Sequence, residues 1–280
     1  MKGLYWLLLF VPGLVWPMDQ GDFRVDAGND EVSSLKVLWV SSTGWAEAGP
    51  DGQPEGFTID LMRAFADWLE RTHRITVDLQ FTEEADWRVF YDRVRSAGGG
   101  VFGLGNVTIT EPRREELSFS PPYVHNVAVL ISHRERGEVL KPELVPEILV
   151  GLRAMAFEGT LHERRLQALK ENFWPDLPMD FSASNQAILD AAAADTHFAY
   201  IDGYNYLQAR NAGAPLRRHP ALDDANESFG VIMPQDNDWQ PLLAEFFAEN
   251  GGLSMQPWYR ASLKRHLGEE IADLMSVQPQ

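Results

Sequence analysis

The chain has no cysteine. That excludes disulfides, thiolate chemistry, cysteine-based zinc sites and lipid attachment to an N-terminal cysteine. It is short of basic charge: 24 Lys and Arg face 41 Asp and Glu, for a formal net charge of -17. Such a surface repels phosphate backbones, so no nucleic-acid partner is expected. A long apolar run is also missing. The longest, residues 3–15, falls short of the about 20 residues that a membrane-spanning helix needs. The seven histidines are scattered without metal-ligand spacing, so no metal site is expected. There is no serine-nucleophile motif and no phosphate-binding loop. Gly98-Gly99-Gly100 precedes a strand-like run, the wrong side of one for dinucleotide binding. No cofactor is expected, and no internal repeat or low-complexity tract is present.

What is there is an ordinary globular composition over 280 residues, 45% hydrophobic and 23% charged, with nine Trp and fifteen Phe. The length gives room for one large domain or two lobes. At the start, Lys2, the apolar run to Val15 and the polar Asp19-Gln20-Gly21-Asp22 read as a signal peptide over residues 1–18. The mature chain is then expected outside the cytoplasm, in the periplasm. From residue 35 on, short β-rich runs (35–40, 75–81, 101–109, 124–132, 148–155, 198–201, 229–233) alternate with helically spaced ones (57–69, 87–94, 161–169, 183–194, 203–210, 239–247, 258–275). This alternation predicts an α/β protein with mostly parallel sheets. The charged, proline-containing stretch 134–146 suggests a change of lobe.

The most informative segment runs from Gly103 to Tyr123. Val107-Thr108-Ile109-Thr110 puts two hydroxyls on one side of a strand end, because side chains alternate with period two. Arg113 follows three residues later and can offer a planar fork to a carboxylate. Nearby glycines let backbone approach a ligand, and Phe119 to Tyr123 makes a stiff apolar turn. In open α/β sheets, ligands sit at the carboxyl ends of strands, where this loop falls. The residues alone leave plainer roles open. Arg113 could pair with Glu111, Glu115 or Glu116 on a solvated turn. Asp202 could cap the helix that starts at Gly203. Trp45 and Trp87 could be packing residues.

Thr108-Ile109-Thr110, Arg113 and Phe119-Ser120-Pro121-Pro122-Tyr123 resemble the family 3 periplasmic solute-binding proteins, which serve ABC transporters for polar amino acids. Four further segments, in the family's order, resemble it too: Glu55 to Leu61, Phe157 to Thr160, Tyr200 to Asp202, and Glu227 to Val231. The resemblance implies a type 2 periplasmic-binding-protein-like fold of two lobes joined by a two-segment hinge, with residues 19–132 plus 232–280 forming one lobe and 133–231 the other. It implies that Arg113, helped by Thr108, binds a ligand α-carboxylate, and that Thr160 and its backbone meet that carboxylate from the opposite lobe. Asp202 would accept an α-ammonium, and Trp45 and Trp87 would flank the ligand's side chain. Asn106 stands where the family commonly has Gly, so it is a candidate ligand contact. The triple glycine 98–100 replaces a family segment that usually ends in an acid. The function implied is capture, by a monomer without catalysis, of a small zwitterionic or anionic ligand for delivery to a transporter permease. The alternative is an enzyme of the cyclohexadienyl or arogenate dehydratase kind on the same fold, with Glu158 as the nearest candidate general acid. Sensory relatives, which usually carry extra domains, are a third reading.

Overall fold

A computed structural model describes residues 19–26 and 32–276. The expected signal peptide, residues 1–18, lies outside the described residues. Among the described residues, no helix is long and apolar enough to cross a membrane.

The chain first runs through β1 (Ser33–Trp39), the short β2 (Glu47–Ala48) and β3 (Pro54–Glu55), α1 (Phe57–Trp68), β4 (Val77–Glu83), α2 (Trp87–Ser96), β5 (Val101–Thr108), the single-turn α3 (Glu111–Arg114), β6 (Ser118–Phe119) and β7 (Val124–His133). It continues through α4 (Val145–Ile148), β8 (Arg153–Phe157), α5 (Leu161–Phe173), β9 (Met179–Ser182), α6 (Asn185–Ala193), β10 (His197–Asp202), α7 (Gly203–Asn211), β11 (Leu216–Arg218) and β12 (Asp224–Met233). Helices α8 (Gln240–Ala248), α9 (Pro257–Leu267) and α10 (Glu269–Met275) close it. The sheet order is β4-β1-β5-β12-β7-β10-β8-β9, with β11 beside β7 and β6 beside β12. One flank, β4-β1-β5, is parallel, and so is the other, β9-β8-β10. Two ten-residue strands, β7 and β12, run antiparallel between the flanks.

Those two strands change partners along their length. β7 pairs with β12 from Val124 to Ala128 and with β10 from Ala128 to Ile131. β12 pairs with β7 from Asp224 to Phe229, then with β5 and β6 up to Met233. Both changes fall inside the strands.

Period-two alternation explains the cores. Leu35, Val37 and Trp39 of β1 face one cluster with α1, α8 and α9, while Leu38 faces another with Phe90 and Val94 of α2. In β7, Val129 and Ile131 face the first cluster, and Ala128 and Leu130 face a third that holds Leu166, Leu169 and Phe198. Strands covered on both faces read as continuous apolar runs, which is how β5, β7 and the end of β12 read.

Some expectations need correction. The strand expected at 148–155 is β8, shorter and later, because Pro142 and Pro146 start single helical turns ahead of it. The helix expected over 258–275 breaks at Gly268, whose φ of 85° only glycine adopts freely. The polar segment from Asp19 packs against the body of the protein. Arg93 bonds Asp19 at 2.9 and 3.1 Å and Glu84 at 2.9 Å. The backbone at Gly21 and Asp22 runs against Gly98 to Gly100, where a Cβ on Gly99 would sit 2.2 Å from the Gly21 carbonyl. The triple glycine serves this close approach.

Candidate functional site

The carboxyl ends of β5 and β10, the N-termini of α5 and α6 and the loop after β1 enclose one cavity of about 580 Å³. All seven residues singled out from the sequence line it: Trp45, Trp87, Asn106, Thr108, Arg113, Thr160 and Asp202.

Arg113 lies on the single turn α3, started by Thr110, whose Oγ1 accepts the Arg113 backbone N–H at 3.4 Å. Its Nη1 donates to the Thr108 carbonyl at 3.0 Å. The guanidinium lies 5.6 Å from the ring centre of Trp87 and 5.9 Å from that of Tyr91, and those two rings stack on each other. Among the described residues no carboxylate comes within ion-pair distance of it, and burial draws its pKa below the usual arginine value. The solvated-turn pairing belongs to the next residue: Arg114 is exposed, faces Glu111 at 3.9 Å and packs over Phe119. Arg113 is thus a desolvated cation, braced by aromatic faces and one carbonyl, with no protein anion opposite it.

Asp202 ends β10 and starts α7, yet its side chain does not cap that helix. It turns toward Asn126 of β7, whose Nδ2 donates to Oδ1 at 2.6 Å, and toward His162 of α5, whose Nε2 lies 3.3 Å from the same oxygen. Both partners use Oδ1. Asn126 Nδ2 also donates to Glu227 Oε2 at 2.7 Å. Arg165 bonds the other Glu227 oxygen at 2.5 Å and Asp224 at 2.7 Å. Burial works against the Arg165 charge, but Asp224 and Glu227 together hold its pKa above the usual value. Glu227 is 5% exposed and His162 8% exposed, and both line the cavity. Sequence reasoning gave neither a role. Glu227 sits in the polar first half of β12, and its depth comes from its contacts with Asn126 and Arg165 on other elements, which local residue order does not show.

Thr160 stands before α5, and no side chain caps that helix. Its hydroxyl donates to the Phe157 carbonyl at 2.7 Å. The donors it leaves toward the cavity are therefore the unpaired backbone N–H groups of the first helical turn, at the positive end of the helix dipole. The Thr160 oxygen can only accept.

Asn106 interrupts β5 with φ at 50°, a left-handed conformation that Asn tolerates better than most residues. Its Oδ1 accepts from Tyr123 Oη at 2.9 Å, and its Nδ2 donates to Tyr204 Oη at 3.3 Å and Ser42 Oγ at 3.4 Å. Tyr204, on α7, packs on Trp45 at 5.2 Å, and burial, then the charge of Asp202, pushes its phenol up to about 12. Trp45 is fully enclosed by Phe57, Tyr123, Tyr204 and Phe229 and forms a fixed wall. Trp87 is half-buried and does a different job, supporting Arg113. Glu158, the candidate general acid, does not line the cavity: it is exposed and pairs with Arg88 at 3.0 Å.

The fold and this arrangement can be set beside known proteins. A glutathione-import protein of Streptococcus mutans superposes with a TM-score of 0.68 at 14% identity, covering 89% of this chain and 98% of its own. An ancestral arginine-binding protein bound to arginine gives 0.65 at 16% identity over 84% and 98%. A histidine-bound substrate-binding protein of a Streptococcus pneumoniae ABC uptake transporter gives 0.63 at 19% over 85% and 94%. At such identities these likenesses establish the type 2 periplasmic-binding-protein fold. In sequence, the chain is 27% identical over 232 residues to the membrane-bound lytic murein transglycosylase F of Maricaulis maris (strain MCS10), and spans 44% of that protein's length. The family model for bacterial extracellular solute-binding proteins, family 3, matches residues 45–249. The chain belongs to that family.

Proposed function

We propose that this protein captures a small amino-acid-like zwitterion between two lobes outside the cytoplasm and passes it to an ABC transporter permease, without chemical conversion. The lobes meet at the partner changes in β7 and β12. The observation that carries the reading is the pairing of two incomplete charges in one cavity. Arg113 is a partly buried cation with no carboxylate partner among the described residues, and among those residues Asp202 Oδ1 takes both protein donors and leaves Oδ2 free. An α-carboxylate on Arg113 and the start of α5, with an α-ammonium on Asp202, completes both. Leaving either ligand charge buried and unpaired is costly, so the site selects molecules that carry both.

A dehydratase needs a carboxylic acid that donates a proton over the substrate. Glu158 faces solvent and Arg88, and each oxygen of Glu227 already accepts from a protein donor. The cavity geometry supports binding over that chemistry. The test is calorimetry on wild type, Arg113→Ala and Arg114→Ala with an α-amino acid panel. Removing one partner of a desolvated charge pair costs roughly 2–5 kcal/mol, so Arg113→Ala should weaken binding by tens- to thousands-fold. Arg114→Ala should bind like wild type. Equal losses in both variants would overturn the assignment.

A further inference from the structure

Five side chains from four elements close a circuit that includes Asp202. Arg165 of α5 bonds Glu227 of β12 at 2.5 Å, Glu227 accepts from Asn126 of β7 at 2.7 Å, and Asn126 donates to Asp202 at the end of β10 at 2.6 Å. His162 completes it, with Nε2 3.3 Å from Asp202 Oδ1 and Nδ1 3.4 Å from Arg165 Nη1. These contacts fix the protons. Arginine offers donors only, so Nδ1 of His162 accepts, and the proton of the neutral imidazole sits on Nε2, facing Asp202. Ionised carboxylates accept only, so Asn126 Nδ2 gives one hydrogen to Glu227 and one to Asp202. His162 lies in the first turn of α5, beside Thr160. The circuit therefore ties Asp202 to the start of α5 and to the two long central strands.

Charged groups surround His162. Asp202 faces Nε2 and Arg165 faces Nδ1, while Glu227 and Asp224 of β12 hold Arg165. Glu163, next to it in α5, turns to the Gly159 N–H. Arg113 lines the same cavity with Arg164 near it, and so does Tyr204, whose phenol burial keeps up at about 12. Arg165 holds Asp224 below the usual carboxylate range. Histidine is the side-chain type in this set that changes charge between about pH 5 and 8. A second proton enters His162 only at Nδ1. It removes the acceptor that Arg165 uses and sets two cations 3.4 Å apart. The circuit opens there, and the new positive charge lies beside Asp202. We infer that His162 is a positioning residue for capture: neutral, it holds Asp202 and the start of α5 together at the cavity, and protonated, it opens the circuit and offsets the Asp202 charge, so that the protein releases its ligand on acidification. The imidazolium and a ligand ammonium compete for one carboxylate. Affinity is full where His162 is neutral and falls as Nδ1 takes up its proton, and by linkage a bound ligand expels that proton.

The inference rests on the zwitterion reading, and the experiment separates the two. Wild type is titrated by calorimetry at pH 8.0 with the standard L-α-amino acids other than L-histidine and L-cysteine, whose own side chains titrate near this range. The tightest of them is then titrated at pH 8.0 and 5.5 into wild type, His162→Ala and His162→Gln. Wild type should bind about tenfold more weakly at pH 5.5. His162→Ala should be weaker at both pH values, with little change between them. His162→Gln keeps an N–H for Asp202 and has nothing to protonate. It should recover most of what alanine loses and stay within about threefold across the same pH step. Long-range 1H–15N NMR of labelled wild type at pH 8.0 without ligand, with His162 identified by its loss in His162→Gln, should show the proton on Nε2 and a bare Nδ1. A proton on Nδ1, or affinity that falls in parallel in wild type and His162→Gln, overturns the inference and leaves the zwitterion reading standing. Failure of every amino acid to bind overturns the zwitterion reading, and the proton link to capture with it.

Discussion

At the scale of single residues, the cavity depends on groups whose partners are incomplete. His219 is the opposite case. It is fully buried behind β7, where its Nδ1 accepts the Val139 N–H at 3.1 Å and its Nε2 faces Ser132 Oγ at 2.9 Å. A backbone donor on Nδ1 fixes the neutral tautomer with the proton on Nε2. Burial, helped by Arg217, brings its pKa down to about 4. Because the folded value lies below the unfolded one, the unfolded chain binds the proton first as pH falls. This stability is present above about pH 6.5 and is lost progressively toward pH 4. The loss should reach about 2–3 kcal/mol by pH 4.5. Urea unfolding of wild type and His219→Gln at pH 7.5 and 4.5 checks it: the variant's stability should fall less between the two. Parallel declines would remove His219 from the acid response. Asp202 gives the matching prediction within the site. Asp202→Asn keeps the oxygen that Asn126 contacts and disturbs no cap, so the fold should hold. Affinity for an α-amino acid should fall far more than affinity for the same acid lacking the amine, as read by calorimetry on one matched pair. An equal fall in both would mean that Asp202 does not hold the ammonium.

Secondary elements explain what the sequence disclosed. Thr108 and Asp202 were legible because each sits at a strand end, and Arg113 because it follows Thr108 by a single short turn; a strand-to-loop junction in an α/β sheet is marked by local residue order. Glu227, His162 and Tyr204 were not, because their roles arise from contacts between elements: β12 with α5, and α7 with the loop after β1. The edge strand β9 escaped for a related reason. Met179 to Ser182 is short and not fully buried, so it lacks an apolar run to announce it. Asn106 lies between these cases. The departure from glycine was visible, but the backbone demand was not. The φ of 50° shows that the position keeps a conformation glycine would supply, while the carboxamide ties β5 to Tyr123, Tyr204 and Ser42. Asn106→Gly should lose those bonds and keep the backbone, whereas Asn106→Ala should lose the bonds and add left-handed strain. Alanine should therefore be the less stable by about 1–2 kcal/mol in a thermal or urea melt. Glycine proving no better than alanine would show that the strain is relieved elsewhere.

For the whole molecule, the question is what holds the cleft shut. Two strands carry the chain between the flanks, and a pair of extended segments is the natural axis for hinge closure. Across the cleft, Tyr204 meets Asn106 and Trp45, Gln208 Nε2 donates to the Thr43 carbonyl at 3.3 Å, and Arg88 pairs with Glu158. These contacts are individually weak. The Arg88–Glu158 pair is more than half exposed on both sides, which limits it to about 0–1 kcal/mol. Shifting an equilibrium from one state to the other almost completely takes about 10⁴-fold differential affinity. A ligand that touches Arg113 on one side and the start of α5 and Asp202 on the other can supply that difference, because it makes its full contacts only in the closed form. Small-angle scattering on wild type should show a smaller radius of gyration with saturating ligand than without. Arg88→Ala should close as wild type does. Tyr204→Ala removes both a ring from Trp45 and a bond to Asn106, so it should be more open without ligand and should need more ligand to close. Closure that is complete without ligand in both wild type and Tyr204→Ala would place the stabilisation of the closed form in the hinge strands themselves, and binding would then not be coupled to lobe movement.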